Sequence, residues 1–156
     1  PEGVGPGLKS RALFRSDLTV IARRAHPLAG ARALHQLAGQ EWVLLGSPGS
    51  PGGTVLRLHE EQALPPPRVA ATCASFTQLA ALIGGADWLA IVPTALVANG
   101  FMGPDVVALR LAETPPRFDN CVVHRADTPL TPAAAAFAAM FASCARVVMQ
   151  QPRGQA

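Results

Sequence analysis

Apolar residues recur along the chain with two alternating spacings, which predict strands and helices that follow one another. Strands are predicted at Trp42–Leu45, Arg68–Ala74, Trp88–Val92 and Val106–Leu111. Between them, apolar residues three and four apart predict helices, the clearest of which starts at Ser75 and ends at the pair Gly84–Gly85. Pro93 is predicted to open the next helix at its first turn. This alternation is typical of βαβ units on a mostly parallel sheet.

The two ends of the chain carry fewer elements than the middle. Single strands are predicted over Leu13–Ala22 and Phe118–His124, and Thr131 with Pro132 starts a last helix. The apolar stripe of that helix consists of Phe137, Met140, Phe141, Cys144 and Val148. We therefore predict an α/β protein with one complete lobe over residues 27–116. A second, incomplete lobe is predicted from residues 1–26 and 117–156, joined to the first by crossovers near 23–30 and 113–117.

An incomplete lobe offers little surface on which the last helix can bury its apolar stripe. Its stripe, which includes Phe137 and Phe141, is predicted to stay uncovered, so the chain should associate with itself.

Composition narrows the class of protein. Of the 156 residues, 49% are hydrophobic and 15% are charged, with a net charge of +3, which excludes intrinsic disorder. The longest apolar run has ten residues, mostly alanine, and is too short to span a membrane. Cys73, Cys121 and Cys144 lie in apolar stretches, so we expect reduced core residues of a cytoplasmic protein.

Two connections could bind a small ligand. The loop Ser47–Thr54 follows a strand and opens a helix, so its N–H groups and hydroxyls could receive an anion, although the Gly-Lys-Ser/Thr ending of a phosphate loop is absent. A plain strand–helix connection remains the alternative. The segment Thr72–Thr77 has the same placement, and a capping role for Ser75 explains its hydroxyl equally well. Together, two helix N-termini at one sheet edge would suit a carboxylate or a sulfonate.

The residue patterns of metal sites, of enzyme active sites and of nucleic-acid surfaces are not found in the sequence. The histidines at 26, 35, 59 and 124 do not have the spacing of a zinc site, so no metal or other cofactor is expected. A Gly-x-Ser-x-Gly elbow and a His-Glu-x-x-His pair are both missing, which argues against an enzyme. The basic residues near the N-terminus fit a solvated strand edge better than a nucleic-acid surface.

Several segments resemble the regulatory part of LysR-type transcriptional regulators. The stretch Leu13–Ala29, with its His-Pro-Leu-Ala ending, resembles the passage from the first regulatory subdomain into the second. Two further segments resemble the second subdomain: Leu34–Leu37 followed by Trp42–Leu45, and Leu79–Pro93, which ends in Asp-Trp-Leu-Ala-Ile-Val-Pro. The segment Pro129–Phe137 resembles the closing helix. The resemblance covers about Leu8 to Val148.

The resemblance implies a fold and a function. The fold would be the periplasmic-binding-protein-like type II fold, with two Rossmann-like lobes joined by two crossovers and the first lobe incomplete. The chain would sense a small anionic or aromatic effector bound between the lobes, without transforming it. It would act as a homo-oligomer and reach DNA only through an N-terminal domain missing from this sequence. A transporter's solute-binding module is the alternative with the same fold.

The resemblance also implies which positions face the effector. The candidates are Ser47, Ser50, Thr54, Thr72, Ser75, Phe76 and Pro93. Arg15, near a crossover, is a further candidate for pairing with an anionic effector.

Overall fold

The computed structural model describes residues 5–46 and 53–150, with side chains to Cys144. The strands are β1 (Leu8–Ser16), β2 (Leu18–Arg23), β3 (Glu41–Leu45), β4 (Arg68–Cys73), β5 (Trp88–Pro93), β6 (Val106–Ala108) and β7 (Phe118–Arg125). The helices are α1 (Thr54–Glu61), α2 (Phe76–Gly85), α3 (Thr94–Ala98) and α4 (Pro132–Gln150), with a short 3₁₀ turn at Leu34–Leu37.

The chain divides into two compact units. The larger unit is Ser16–Phe118, and the smaller unit combines the residues up to Arg15 with those from Asp119 onward. The first segment of the smaller unit therefore ends at Arg15, whereas the sequence predicts an end at residue 26. The reason is that β2, predicted to belong to the flank, is hydrogen-bonded to β5 and β6 of the larger unit. The first crossover lies at residues 15–16 for the same reason.

The sheet of the larger unit has five strands in the order β4-β3-β5-β2-β6. Strand β3 is parallel to both β4 and β5, as the alternation of strands and helices predicts. Strand β2 is antiparallel to both β5 and β6, so four of the five strands run in the same direction. The prediction of a mostly parallel sheet is confirmed, with β2 as the reversed strand.

The strand predicted over Leu13–Ala22 is two strands in two different sheets. Strand β1 pairs with β7, and β2 lies in the five-stranded sheet. They meet at Asp17, whose backbone oxygen accepts the N–H of Thr94 at 2.9 Å. Continuous β-rich sequence does not reveal where a strand exchanges one partner for another.

Helices cover both faces of the five-stranded sheet because alternate strand residues point to opposite sides. On one side Trp42 and Leu89 pack with Leu58 of α1. On the other, Val43 and Ala90 pack with Ile83 of α2. The edges of the sheet at β4 and β6 are short strands of six and three residues. Burial on both faces explains why β2, β3 and β5 are nearly continuous apolar runs in the sequence.

Helix α2 begins as its sequence predicts and ends differently. The Ser75 hydroxyl oxygen accepts the N–H of Gln78 at 3.2 Å, which confirms Ser75 as the N-cap. Gly84 and Gly85 lie inside the last turn, with Ala86 as the C-cap, so the glycines do not form a capping pair. Pro93 likewise ends β5 and caps α3, and does not occupy the first turn of that helix. The predicted fourth strand is shorter than expected and ends at Ala108.

The His-Pro-Leu-Ala signature forms a compact turn. His26 is buried, and its Nδ1 accepts the N–H of Leu28 at 2.9 Å. The N–H of Ala29 donates to the His26 carbonyl oxygen at the same 2.9 Å. The imidazole therefore acts here as a structural acceptor that closes the turn after β2.

The smaller unit consists of β1, β7 and α4. The Thr131 hydroxyl oxygen accepts the N–H of Ala134 at 3.2 Å, so Thr131 caps the last helix as predicted. Among the described side chains of α4, Ala138 is buried, whereas Phe137, Met140 and Phe141 are exposed. Within the described part of the chain, no helix has both the length and the apolar character to cross a membrane.

The three cysteines differ in burial, and the prediction that all three belong to the core is wrong. Cys73 is buried, Cys121 is half-buried and Cys144 is exposed on α4, and all three are free thiols. The sheet of the smaller unit has two strands, a small surface on which to bury the apolar residues of α4. Apolar neighbours in the sequence therefore do not show whether each of these cysteines is buried.

Thiol reactivity should follow this difference in burial. Burial raises the pKa of the Cys73 thiol, and the thiolate is the nucleophilic form. We expect iodoacetamide at neutral pH to alkylate Cys144 first and Cys73 last, as followed by mass spectrometry of peptides. In denaturant the three rates should converge. Labelling of Cys73 in the folded chain as fast as Cys144 would contradict the placement of β4.

Candidate functional site

The carboxyl ends of the three parallel strands lie at one edge of the larger unit's sheet. Leu45 is in register with Cys73, and the N–H of Gly46 donates to the Cys73 carbonyl oxygen at 2.8 Å. Pro93, at the end of β5, is in register with Leu18. Ends of parallel strands are where α/β proteins bind ligands. We call this edge, from Ala74 across Gly46 to Pro93, the carboxyl edge.

A cavity of about 740 Å³ opens at the carboxyl edge. Its lining residues come from the ends of β3 and β4 and from α2: Gly46, Thr72, Cys73, Ala74, Gln78, Ala81 and Leu82. The α2 residues extend the cavity from the edge along the helix. Most of this lining is apolar, and the polar groups cluster near the N-terminus of α2, an arrangement common in small-molecule sites.

The segment from Thr72 to Phe76 divides between the cavity and the core. Thr72 is exposed and lines the cavity, and its contact with an effector stays a prediction. The Ser75 hydroxyl accepts a hydrogen bond as the helix cap and still has its own O–H to donate. Phe76 is half-buried and packs against the core on the α2 side of the sheet. Of these three candidates, Thr72 lines the cavity, Ser75 caps α2 and Phe76 packs against the core.

Gln78 is a polar residue of this cavity that sequence reasoning missed. Its side-chain Oε1 accepts the N–H of Ala74 at 3.1 Å. With the oxygen held in this way, the amide NH₂ remains as a donor group. A signal was present in the sequence: Ser75 followed three residues later by Gln78 has the spacing of a capping box, which orients the glutamine toward the helix start.

The first candidate loop is only partly described. Ser47 and Ser50 lie outside the described residues. Thr54 is the first residue of α1 and is buried, and the N-cap Gly53 has no side chain to bond the helix N–H groups. The beginning of α1 is therefore as predicted, and contacts of the two serines with a ligand stay a prediction.

A charged pair lies beside the end of β5. The backbone oxygen of Asp17 accepts both the N–H of Thr94 at 2.9 Å and its hydroxyl at 3.2 Å. The Nε of Arg117 donates to Oδ1 of Asp17 at 2.8 Å. Pro93, the candidate at this end of the carboxyl edge, directly precedes Thr94. The sequence did not predict Asp17, Thr94 or Arg117, because a single polar or charged residue gives no signal of a distant partner.

Arg15 belongs to the smaller unit. It is the residue before the end of β1, and its Nε donates to Oδ1 of Asp119 at 2.8 Å. Both partners of this ion pair lie in the smaller unit. The role predicted for Arg15 toward an anionic effector stays a prediction.

Among residues 5–46 and 53–150, no group of three or more His, Cys, Asp or Glu is placed to hold a metal ion. The carboxyl edge instead offers hydroxyls, an amide and backbone groups. Such groups can bind and orient a small molecule by hydrogen bonds.

Comparison with known proteins identifies the family. The model of the LysR substrate binding domain matches residues 1–145. The CcmR regulatory domain of Synechocystis, solved in complex with 2-PG, is similar at 21% identity and a TM-score of 0.73, covering 94% of this chain and 70% of that one. The effector binding domain of QuiR in complex with shikimate is similar at 17% identity and a TM-score of 0.73, with coverage of 91% and 67%.

A third similar structure is the C-terminal domain of a probable LysR family transcriptional regulator from Rhodococcus, at 24% identity and a TM-score of 0.68, with coverage of 90% and 69%. Against longer proteins the chain is a smaller part, spanning 49% of CbnR, a LysR family transcriptional regulator. These likenesses show the periplasmic-binding-protein-like type II fold. The match over residues 1–145 shows that this chain belongs to the LysR substrate-binding domain family.

Proposed function

We propose that this chain senses a small-molecule effector for a LysR-type transcriptional regulator and binds that effector at the carboxyl edge. The observation that carries the proposal is the cavity at this edge, lined by Thr72 and Gln78, in a chain of the LysR substrate-binding domain family. Two similar domains of other regulators were solved in complex with 2-PG and with shikimate. By analogy, the effector here is a small organic molecule.

Binding without chemical change is favoured by the groups present. Cys73, the nucleophilic side chain of the cavity, is buried, which raises the pKa of its thiol and disfavours the reactive thiolate. The neighbouring polar groups belong to Thr72, Ser75 and Gln78, none of which is a general base. A sensor has no need of either function, since it responds through differential affinity for two states.

The regulatory output belongs to the longer protein. We propose that it is a cytoplasmic homo-oligomer whose separate N-terminal domain contacts DNA. An effector that prefers one arrangement of the oligomer would change the population that holds the operator. The transporter alternative is disfavoured because the family match is to a regulator domain.

Thermal unfolding of this chain with a library of small organic acids and aromatic molecules tests the proposal. We expect a subset to raise the Tm, because a ligand that binds only the folded state stabilises it. In Thr72→Val, a nearly isosteric change in a strand, these molecules should bind about five- to tenfold more weakly, as expected for one lost hydrogen bond. Isothermal titration of the purified variant measures the loss.

Thr128→Val provides the matched control, since Thr128 is exposed in the smaller unit and bonds Asp127. Its affinities should equal those of the parent chain. The proposed site is refuted if stabilising molecules bind Thr72→Val and the parent equally well. The proposed function is refuted if the whole library leaves the Tm unchanged.

A further inference from the structure

We infer that Arg117, held by Asp17, is the residue that makes the carboxyl edge prefer an effector with an anionic group. The inference rests on the proposed function, because it concerns the same site. It differs from the sequence prediction, which selected Arg15 for this role.

The first support is position. Asp17 is tied to the end of β5 by two hydrogen bonds from Thr94, through its N–H and its hydroxyl. Arg117 reaches the carboxylate of the same aspartate with its Nε at 2.8 Å. The guanidinium is therefore fixed one side chain away from the end of β5, where Pro93 and Thr94 follow the carboxyl edge.

The second support is the unused capacity of this guanidinium. An arginine side chain carries five N–H donors in a planar fork, and the bond from Nε to Asp17 employs one of them. The side chain is 67% exposed, so a small molecule can reach it. The two Nη groups can bind a carboxylate or a phosphate with two parallel hydrogen bonds.

The third support is the charge of the surroundings. Among the described side chains of the carboxyl edge, Thr72, Ser75, Gln78 and Thr94 are neutral. The loop Ser47–Gly53 consists of Ser, Pro and Gly and adds no charge by its sequence. Among the described ion pairs, the one of Arg117 with Asp17 lies beside the β5 end of this edge, so Arg117 is the cation next to it and Asp17 is its counter-charge.

The role of Asp17 follows from the same geometry. Its carboxylate orients the guanidinium and also competes with an incoming anion for it. Replacing Asp17 by Asn keeps a side-chain oxygen as acceptor and removes the competing charge. This change should strengthen anion binding, whereas loss of a purely structural ion pair would not.

The test uses two probes of equal shape and different charge, benzoate and benzamide, titrated at millimolar concentrations into the 156-residue chain. NMR of ¹⁵N-labelled protein follows the amides of Thr94 and Ala74 and the Nε–H of Arg117. We expect benzoate to shift these signals more strongly than benzamide. In Arg117→Gln the preference for benzoate should fall about tenfold, the effect of losing a charge-assisted hydrogen bond. In Asp17→Asn it should rise severalfold.

Arg68→Gln is the matched control. Arg68 is 68% exposed and pairs with Glu41 at the amino ends of β4 and β3, the opposite end of the sheet. Its replacement should leave the preference unchanged. If Arg117→Gln unfolds, Arg117→Lys retains the charge and loses the fork, and it should retain part of the preference.

Three results would overturn the inference: equal shifts by both probes, no shift by benzoate, or loss of the preference in Arg15→Gln with Arg117→Gln unaffected. Equal shifts at the edge by both probes would leave the proposed function standing, since the edge would still bind a ligand. A library that never raises the Tm would instead refute the proposed function itself.

Discussion

Replacing Leu89 by alanine should lower the free energy of unfolding by about 2–5 kcal/mol, the range for a leucine deleted from a well-packed core. Leu89 is 0% exposed on β5, a strand with neighbours on both sides. It lies in the apolar cluster that joins α1 and the 3₁₀ turn to the sheet. The truncation removes apolar contacts and leaves a cavity that its rigid neighbours cannot fill. Urea unfolding followed by circular dichroism measures the change.

Leu56→Ala makes the same chemical change on a surface. Leu56 lies on α1 and is 37% exposed, so its replacement should change the free energy of unfolding by only about 0.5 kcal/mol. Equal destabilisation by the two variants would contradict the placement of β5 at the centre of the sheet. The midpoint of Leu89→Ala should shift without a change in the denaturant slope.

The second large effect concerns the exposed stripe of α4. Phe137 is 68% exposed, Met140 and Phe141 are also exposed, and the two phenylalanine rings stack at 6.2 Å between centroids. Such a contiguous apolar surface favours association in water. We expect this chain to associate with itself, and the double replacement of Phe137 and Phe141 by Glu to raise the dissociation constant at least about a hundredfold, because two aromatic side chains lose their burial. Sedimentation velocity over a concentration series measures this.

Ala139→Glu is the control on the same helix. Ala139 is exposed on the side of α4 away from the stripe, so a carboxylate there adds charge without removing apolar surface. Its sedimentation should match that of the parent chain. If the parent is a monomer at every concentration, or if Ala139→Glu dissociates it as fully as the double variant, the stripe is not an association surface.

The elements that the sequence predicted well are those in which local pattern and tertiary burial agree. Strand β3, and α2 with its cap Ser75, have both the expected type and the expected start within one or two residues. Apolar periodicity encodes such elements because one face must be buried. The pattern does not predict strand boundaries that depend on pairing with distant strands. Strands β1 and β2 form one continuous β-rich run in the sequence, and only their different partner strands separate them.

The candidate site shows the same division. Thr72 and Ser75 could be named from the sequence, because polar residues after a strand and before a helix have a known place at a sheet edge. Arg117 and Asp17 are 100 residues apart, and nothing local links them. Arg15 and Arg117 have similar places in the sequence. Arg15 lies near the end of β1, and Arg117 directly precedes β7. Only the structure shows that Asp17 holds Arg117 beside Thr94.

The central claim, that an effector binds at the carboxyl edge, is tested most directly by hydrogen–deuterium exchange of this chain with and without the library molecule that raises its Tm most. Backbone amides in residues 72–78 and at Thr94 and Ala95 should exchange more slowly with the molecule present. The amides of β7 and of the turn after β2 serve as internal references. Slower exchange confined to α4, or spread evenly over the chain with no excess at the carboxyl edge, would contradict the claim.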